Sequence, residues 1–530
     1  MSISITCYGS AGEIGGNKIL LEDGETRLML DFGTSFGRLG NYFNEFLRPR
    51  AVRGLQDPLL LELIPPLEGL YRPDLEAPGL WSRLKNHPAY RSLKRGDSTP
   101  AVDAVLLSHA HLDHNGDISY LDERIPIYTT RLSAFIARSM QVTGSTTMER
   151  EMVYTSPRAS DEYGDLSTDK TAGAAYHLRP HAFLDGALSE DATTFWMTAG
   201  EGARKKIDPA PAEKAPDNIQ GLEIRWWPVD HSIPGAAGFA IHTSAGWVGY
   251  TGDIRFHGRQ GPQTERFMHE LAELKPVALF CEGTHTDPEE KARLSEAEIF
   301  DRALPILQQY AGRLAVADFG PRNLERLFVF LDLAEHSRRT LLVQPKDIYL
   351  LQAMHLADPP GTPHPDQTPR LAMYADPKAA PRGWEKGLRE TWKGTLRGPA
   401  DVSKSPGDFI LAFSLFDLND LTDLTGIAGG LFLFSNSRAY DDEQAADLDR
   451  LRNWVQWAGL ALCGDPDDPH AIPLHASGHA SGTELVRFVK TVQPKTLIPI
   501  HTEVPEWWVD QLKGTSTAIR IPEYAKTIRL

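Results

Sequence analysis

The sequence predicts an α/β protein in which a β-rich domain is interrupted by a separate unit of alternating helices and strands. Three observations predict it. Toward both ends of the chain, apolar strand-like runs stop at a histidine or aspartate, as in "AVDAVLLSHAHLDHNGD", "WWPVDHS", "VGYTGD" and "LIPIHTE". Between about residues 290 and 460, helix-length and strand-length segments alternate, the pattern of a mostly parallel sheet covered by helices. Beyond about residue 465 the strand-then-histidine pattern returns, so the chain that leaves the β-rich domain comes back to it.

In order, "ISITCYG" alternates as a strand does, and "NKILLEDGETRLMLDFG" sets two apolar runs about a "DGE" turn, a hairpin. Residues 36–100 are richer in Pro, Arg and Leu without a clean period and read as loops and short helices. "AVDAVLLS" reads as a buried strand. Residues 145–220 are polar and include "PAPAEKAPD", the composition of a large surface insertion. Three strand-like runs follow in "EIRWWPVDHSIPGAAGFAIHTSAGWVGYTGD", and a fourth in "PVALFCEGT".

The middle unit pairs "RLAVADF" (strand) with "GPRNLERLFVFLDLAEHS" (helix), and "RTLLVQP" (strand) with "KDIYLLQAMH" (helix). "DFILAFS", "GGLFLFS" and the helix "DDEQAADLDRLRNWVQWAGL" close it. "AIPLHASGH" and "TLIPIHTE" again read as strand then histidine, joined by the helix "SGTELVRFVKTVQP". The expected division is therefore 1–287, with insertions near 40–100 and 145–220, then 288–462, then a return segment 463–530.

Composition narrows the class. The formal net charge of −16 argues against nonspecific nucleic-acid binding, although metals and a local basic groove can dominate the field where a phosphate chain lies. No run of eighteen apolar residues is present and "MSISITCYGSAGEIGGN" lacks a signal peptide's basic and apolar regions, so no membrane association and a cytoplasmic location are expected. Cys7, Cys281 and Cys463 lie far apart without a CxxC pair, so neither a disulfide framework nor a thiolate zinc site is indicated and three buried thiols are expected.

The chemistry concentrates in "HAHLDH". Residues two apart on an extended backbone point to one side, so His109 and His111 can converge on one metal. Asp113 and His114 turn with the chain and can serve a second. His231, Asp253 and His501 each end an apolar run; singly each could be structural, but all share the place where a strand meets a loop.

This order of HAHLDH, a later His, a later Asp and a final His resembles the metallo-β-lactamase fold, an αββα sandwich. The α/β insertion and closing histidine motifs are similar to its β-CASP nuclease branch, and "HASGHAS", "PIHTE" and "FLFSNS" most resemble the ribonuclease J group. The resemblance, which also takes in "GSAGEIGGN" and "DFG", implies one metal held by His109, His111 and His231, and a second by Asp113, His114 and His501. Asp253 would bridge both, and Asp31 of "LDFG" would orient a ligand or serve as a buried turn residue. Imidazole and carboxylate without thiolate suit zinc, with manganese the main competitor.

The resemblance implies phosphodiester hydrolysis, a reaction that such a pair of divalent ions can support, with Asp113 part of the catalytic apparatus. The resemblance sets His479 of "HASGHAS" beside Glu282 of "FCEGT", a pairing that would suit His479 to general-acid work. Ser481 and Glu484 form a capping box; with Ser477, Gly478 and His479 this helix start is either a phosphate cradle or an ordinary cap. In "RGWEKGLRETWKGTLRG", Arg382, Lys386, Arg389, Lys393 and Arg397 would share one face of a helix, as a phosphate-tracking stripe or a solvated face, and "WSRLKNHPAYRSLKRG" is a second basic stretch. The expected function is a two-metal ribonuclease acting on single-stranded RNA, from the 5′ end, internally, or both; a DNA nuclease of the same fold is the alternative. RNA is favoured because the RNA-cleaving members resemble this chain in a final-motif histidine, His501. Self-association or protein partners are compatible with the sequence, which selects neither.

Overall fold

Short, nearly continuous apolar runs make strands that are buried on both faces, and here two sheets of such strands turn one face toward each other. The computed structural model describes residues 3–530 apart from 45, 97–98, 146, 170–175, 199, 201–205, 287–293, 321, 363 and 439–441. The chain divides into two units, one of residues 1–256, 260–290 and 479–530, the other of 257–259 and 291–478. The expected boundary at 287/288 lies outside the described residues. The chain re-enters the first unit at 479 rather than 463, because Ala461–Cys463 pairs with Leu431–Phe434 of the second unit's sheet.

The first unit's larger sheet has the order Ala212–Lys214, His181–Phe183, Ile127–Thr129, Ala104–Leu106, Thr26–Leu30, Ile19–Asp23, Ser4–Cys7, Thr527–Arg529. The other has the order Asn218–Ile219, Leu222–Pro228, Ala237–Thr243, Gly246–Tyr250, Ala278–Glu282, Thr496–Ile500, Ala518–Ile519. Ile5, Leu21, Leu28 and Leu106 from the first meet Ile224, Phe239, Ile241, Val248, Phe280 and Ile498 from the second in one buried cluster. Each such side chain contributes about 2 kcal/mol by leaving water.

The outer faces are covered as well. Leu20, Met29, Val105 and Ile127 pack under Leu59, Ile64, Leu75, Trp81 and Tyr120. Ala240, Leu279 and Leu497 pack under Phe267 and Leu271 of the helix Gly261–Glu273 and Leu485 and Phe488 of the helix Gly482–Val492. The layering is the expected αββα sandwich. The "DGE" hairpin forms as read, with Asp23 opposite Thr26 and Ile19 opposite Leu30.

Four local readings are corrected. Segment 145–220 is not wholly a surface insertion: His181–Phe183 and Ala212–Lys214 extend the large sheet in parallel and Trp196 is fully buried, although parts of the segment lie outside the described residues. "AIPLHASGH" contains no strand; Pro473 and the missing alternation leave it irregular. The basic stripe does not share one helix, since the helix Gly383–Thr391 stops before Lys393 and Arg397 sits in the strand Leu396–Arg397. Trp392 is buried and Gly394 follows it, which ends the turn. Cys7 and Cys281 are buried, but Cys463, on the edge strand of its sheet, is only half-buried.

The second unit has a fully parallel sheet in the order Leu396–Arg397, Leu371–Tyr374, Thr340–Val343, Phe409–Ala412, Ala315–Asp318, Leu431–Phe434, Ala461–Cys463. The expected helices Leu324–His336, Pro345–Ala357 and Asp442–Trp457 connect its strands. Among the described residues no helix is long and apolar enough to cross a membrane.

Candidate metal centre

All seven side chains predicted as ligands belong to the first unit, and the structure brings them together in two overlapping groups that share Asp253. In one, His111 Nδ1 lies 3.2 Å from His109 Nε2 and 3.1 Å from His231 Nε2. Asp253 Oδ2 is 3.6 Å from His109 Nε2 and 3.7 Å from His231 Nε2. In the other, Asp113 Oδ2 is 3.2 Å from His501 Nε2 and 3.8 Å from His114 Nε2. Asp253 reaches this group too, through Oδ2 at 3.2 Å from His114 and Oδ1 at 3.7 Å from His501.

Local structure explains the convergence. His109 and His111 leave the strand Ala104–Leu106 on extended backbone, and the one-turn helix Leu112–Asn115 then swings Asp113 and His114 to the second group. The loop after the first hairpin clamps that turn: Phe32 and Thr34 donate backbone N–H bonds to His114 O and Leu112 O, and Asn17 donates to Asp113 O. Gly33 is required there, since a Cβ would stand 1.7 Å from Asp113 O. His231 and Asp253 are brought together by a buried ion pair between their neighbours, Arg255 Nε to Asp230 Oδ1 at 3.0 Å.

Asp31 holds His114 directly and His109 through Ser108. It accepts from Ser108 N at 2.6 Å and Ser108 Oγ at 2.7 Å, lies 2.6 Å from His114 Nδ1, and accepts from the hydroxyl of Tyr250. Ser108 Oγ is also 3.0 Å from His109 Nδ1. Such contacts fix ring orientation and leave the opposite nitrogen to a ligand. Both Asp31 and His501 have positive φ, 55° and 53°, a backbone cost kept where the chain turns sharply to aim a side chain.

A third group adjoins Asp253. Glu282, at the end of the strand Ala278–Glu282, has Oε2 3.0 Å from His479 Nδ1. Its other oxygen accepts from Ile254 N at 2.7 Å. Thr284 Oγ1 donates to Glu282 at 2.7 Å and lies 2.8 Å from His501 Nδ1, tying the two groups. Sequence reading missed Thr284, Ser108, Tyr250 and the Asp230–Arg255 pair. Thr284 alone had a visible signal, a hydroxyl two residues after the singled-out Glu282.

The electrostatics suit a cation. Burial opposes ionisation of Asp253, but His114, His501 and His479 outweigh it and hold the carboxylate well below its ordinary range. Asp113 is likewise held low against burial by His114 and His501. Burial and the neighbouring His114 hold His109 well below the ordinary imidazole range, so it is neutral, whereas against burial Asp253, Asp113 and Asp31 hold His114 well above that range, so a metal bound there displaces its proton. Asp253 Oδ1 and His114 Nε2 are buried without a hydrogen bond, polar atoms that a coordinated ion would satisfy. With imidazole and carboxylate donors at this spacing, the residues fit divalent metal binding.

The remaining predicted residues are placed differently. Ser477 and Gly478 belong to the second unit, whereas His479 and Ser481 belong to the first. Ser481 N donates to Glu484 Oε2 at 2.8 Å and its hydroxyl accepts from Glu484 N, so both capping-box bonds are made and that amide is already used. Arg382, Lys386, Arg389, Lys393 and Arg397 all lie in the second unit, where Arg389 is taken up by Glu385 and Asp376.

Residues 78–134, which contain "HAHLDH", match the metallo-β-lactamase superfamily, and residues 472–506 match the Zn-dependent metallo-hydrolase RNA specificity domain. Ribonuclease J of Helicobacter pylori is 20% identical over 98% of this chain and 59% of its own length. Ribonuclease J of Sinorhizobium meliloti is 25% identical over 65% of this chain and 56% of its own, and that of Corynebacterium glutamicum 25% identical over 55% and 38%. The chain spans about half the length of the curated relatives it matches. A crystal structure of a protein of unknown function from Enterococcus faecalis superposes over 100% of both chains with a TM-score of 0.67 at 20% identity, a likeness of fold.

Proposed function

We propose that this chain, ribonuclease J-like with the metallo-β-lactamase fold and a β-CASP insertion, is a metal-dependent nuclease that hydrolyses phosphodiester bonds of single-stranded RNA. The observation that carries the reading is the position of Asp253. One buried carboxylate reaches His109 and His231 on one side and His114 and His501 on the other, with His479 Nδ1 3.9 Å away. The protonated histidine beside the metal ligands suits a leaving alkoxide oxygen, as phosphodiester cleavage produces.

In this reading His109, His111 and His231 hold one divalent ion and Asp113, His114 and His501 a second, with Asp253 between them; zinc suits the donor set. Such a pair supplies Lewis-acid stabilisation of the phosphate charge and an activated water. The chain's own residues do the rest. Asp31 and Ser108 hold the imidazoles of His114 and His109, so the ligand set is preorganised before substrate arrives. His479 donates the proton to the leaving oxygen. Burial opposes its protonation, but the carboxylates of Glu282 and Asp253 raise its pKa to about 9, so the imidazolium is the stored form at neutral pH. With Nδ1 turned to Glu282, Nε2 carries that proton. Glu282, held by Ile254 N and Thr284, keeps the ring from rotating.

The relatives' RNA substrates and the match of residues 472–506 to an RNA specificity domain support RNA over DNA. Matched single-stranded RNA and DNA, each with a 5′-phosphate or a 5′-hydroxyl, are incubated with the protein and divalent metal, with a chelator control. Metal-dependent RNA cleavage with intact DNA is expected. Preferential DNA cleavage, or cleavage of neither, would overturn the assignment.

A further inference from the structure

A second cavity lies in the first unit, on the far side of the helix that carries Asp113 and His114. It has a volume of about 600 Å³, within the range that accommodates small ligands. One wall is made by Leu112, Gly116 and Asp117, the backbone of that helix and its continuation. Phe36, Leu39 and Ile64 provide an apolar slot, with half the surface of Phe36 exposed.

Basic and acidic side chains share this cavity, Glu149 and Asp117 standing in its lining with two arginines. Arg48 and Arg150 both line it. Among the described residues no hydrogen bond or ion pair holds the guanidinium of Arg150, and burial together with repulsion from Arg48 lowers its pKa, only partly offset by Glu149. The one carboxylate in the helix wall, Asp117, is already committed to Lys18 at 2.9 Å and Thr34 at 2.8 Å. Two arginines in one lining, close enough for Arg48 to repel Arg150, beside an apolar slot fit an anion that carries a flat apolar body.

We propose that this cavity binds a nucleoside monophosphate, its base in the slot against Phe36, Leu39 and Ile64 and its phosphate on Arg48 and Arg150. The same chemistry has two sources, a phosphorylated end of an RNA strand or a free mononucleotide, the product that end-wise cleavage releases. The choice of source rests on the nuclease reading; binding of the nucleotide does not.

Calorimetric titration of the full chain with adenosine 5′-monophosphate, adenosine and inorganic phosphate tests it, using the wild type, the Arg150→Ala, Arg48→Glu and Thr147→Trp variants, and His479→Ala as the control for binding at the metal centre. Arg48 and Thr147 are exposed, so two of the variants leave the core untouched. The monophosphate should bind, and loss of either arginine or of the phosphate should weaken binding by about tenfold or more. Filling the mouth at Thr147 should do the same. A 5′-phosphorylated oligonucleotide that displaces the monophosphate identifies the strand end as the source; absence of displacement identifies the free nucleotide.

No monophosphate binding at millimolar concentration overturns the proposal. So does equal affinity in the wild type and the Arg48→Glu and Thr147→Trp variants, or binding lost in His479→Ala but kept in Arg48→Glu, which would move the ligand to the metal centre. Absence of RNA cleavage would remove the nuclease reading and leave this isotherm unchanged.

Discussion

His479 Nδ1 lies 3.0 Å from Oε2 of Glu282, a carboxylate with no exposed surface. The pair makes the proton on His479 a property of Glu282. Burial works against the imidazolium, but Glu282 and then Asp253 raise its pKa to about 9. A proton donor acts while protonated, so its contribution is full well below that value and is lost as pH rises through it. Glu282→Gln should move the falling alkaline limb of kcat toward neutral pH and lower kcat about a hundredfold, with bound metal unchanged. A pH–rate profile beside elemental analysis checks this; an unmoved limb would separate Glu282 from the proton donor.

Removing Asp253 should act differently from removing His479. Asp253 faces both groups of histidines, so Asp253→Ala should lose metal together with activity. His479→Ala should keep its metal and lose about a hundredfold or more in cleavage rate. Elemental analysis of the two purified variants beside the wild type decides it, and full activity in His479→Ala would remove the general-acid assignment.

The clamp on the "HAHLDH" turn gives a third expectation. A Cβ at Gly33 would meet Asp113 O at 1.7 Å, with Asp113 C at 1.9 Å, backbone atoms that cannot rotate away. Gly33→Ala should destabilise the first unit by about 3 kcal/mol and weaken metal binding. Thermal melts with and without added metal measure both effects, and an unchanged melting temperature would mean that the loop yields more easily than its hydrogen bonds suggest.

Away from the metal centre, Asp318 ends a central strand of the second unit with 3% of its surface exposed. Burial raises its pKa to about 7, against which Asn436 donates a hydrogen bond. Because the folded value lies above the unfolded one, its contribution to stability is full below about pH 4 and is lost as pH rises through about 7. Asp318→Asn removes that titration and should stabilise the second unit at pH 8 by on the order of 2 kcal/mol, with little effect near pH 4. Denaturant melts at the two pH values read it directly; an equal effect at both would place the Asp318 proton elsewhere.

The layers of the fold were legible because short apolar runs such as "ILL" and "FAI" and the helix-then-strand rhythm after residue 290 are local signals. His109 and His111 were legible because two-residue spacing on an extended backbone is itself a geometry. The strand His181–Phe183 was hidden: it is three residues long, flanked by polar chain, and paired with Ile127–Thr129 more than fifty positions away. Asp31 was legible in "LDFG", but its partners Ser108 and Tyr250 were hidden for the same reason, since they come from the ends of separate strands. The basic stripe failed because helical spacing was extended past Trp392, whose side chain the core takes up.

The central claim is that two ions bound by these seven side chains drive RNA cleavage. Its most direct test is single-turnover cleavage of a 5′-phosphorylated RNA by chelator-stripped protein as zinc or manganese is titrated back. No cleavage is expected without metal, and activity should rise to saturation at about two equivalents per chain. Cleavage by the stripped protein, or saturation at a single equivalent, would contradict it.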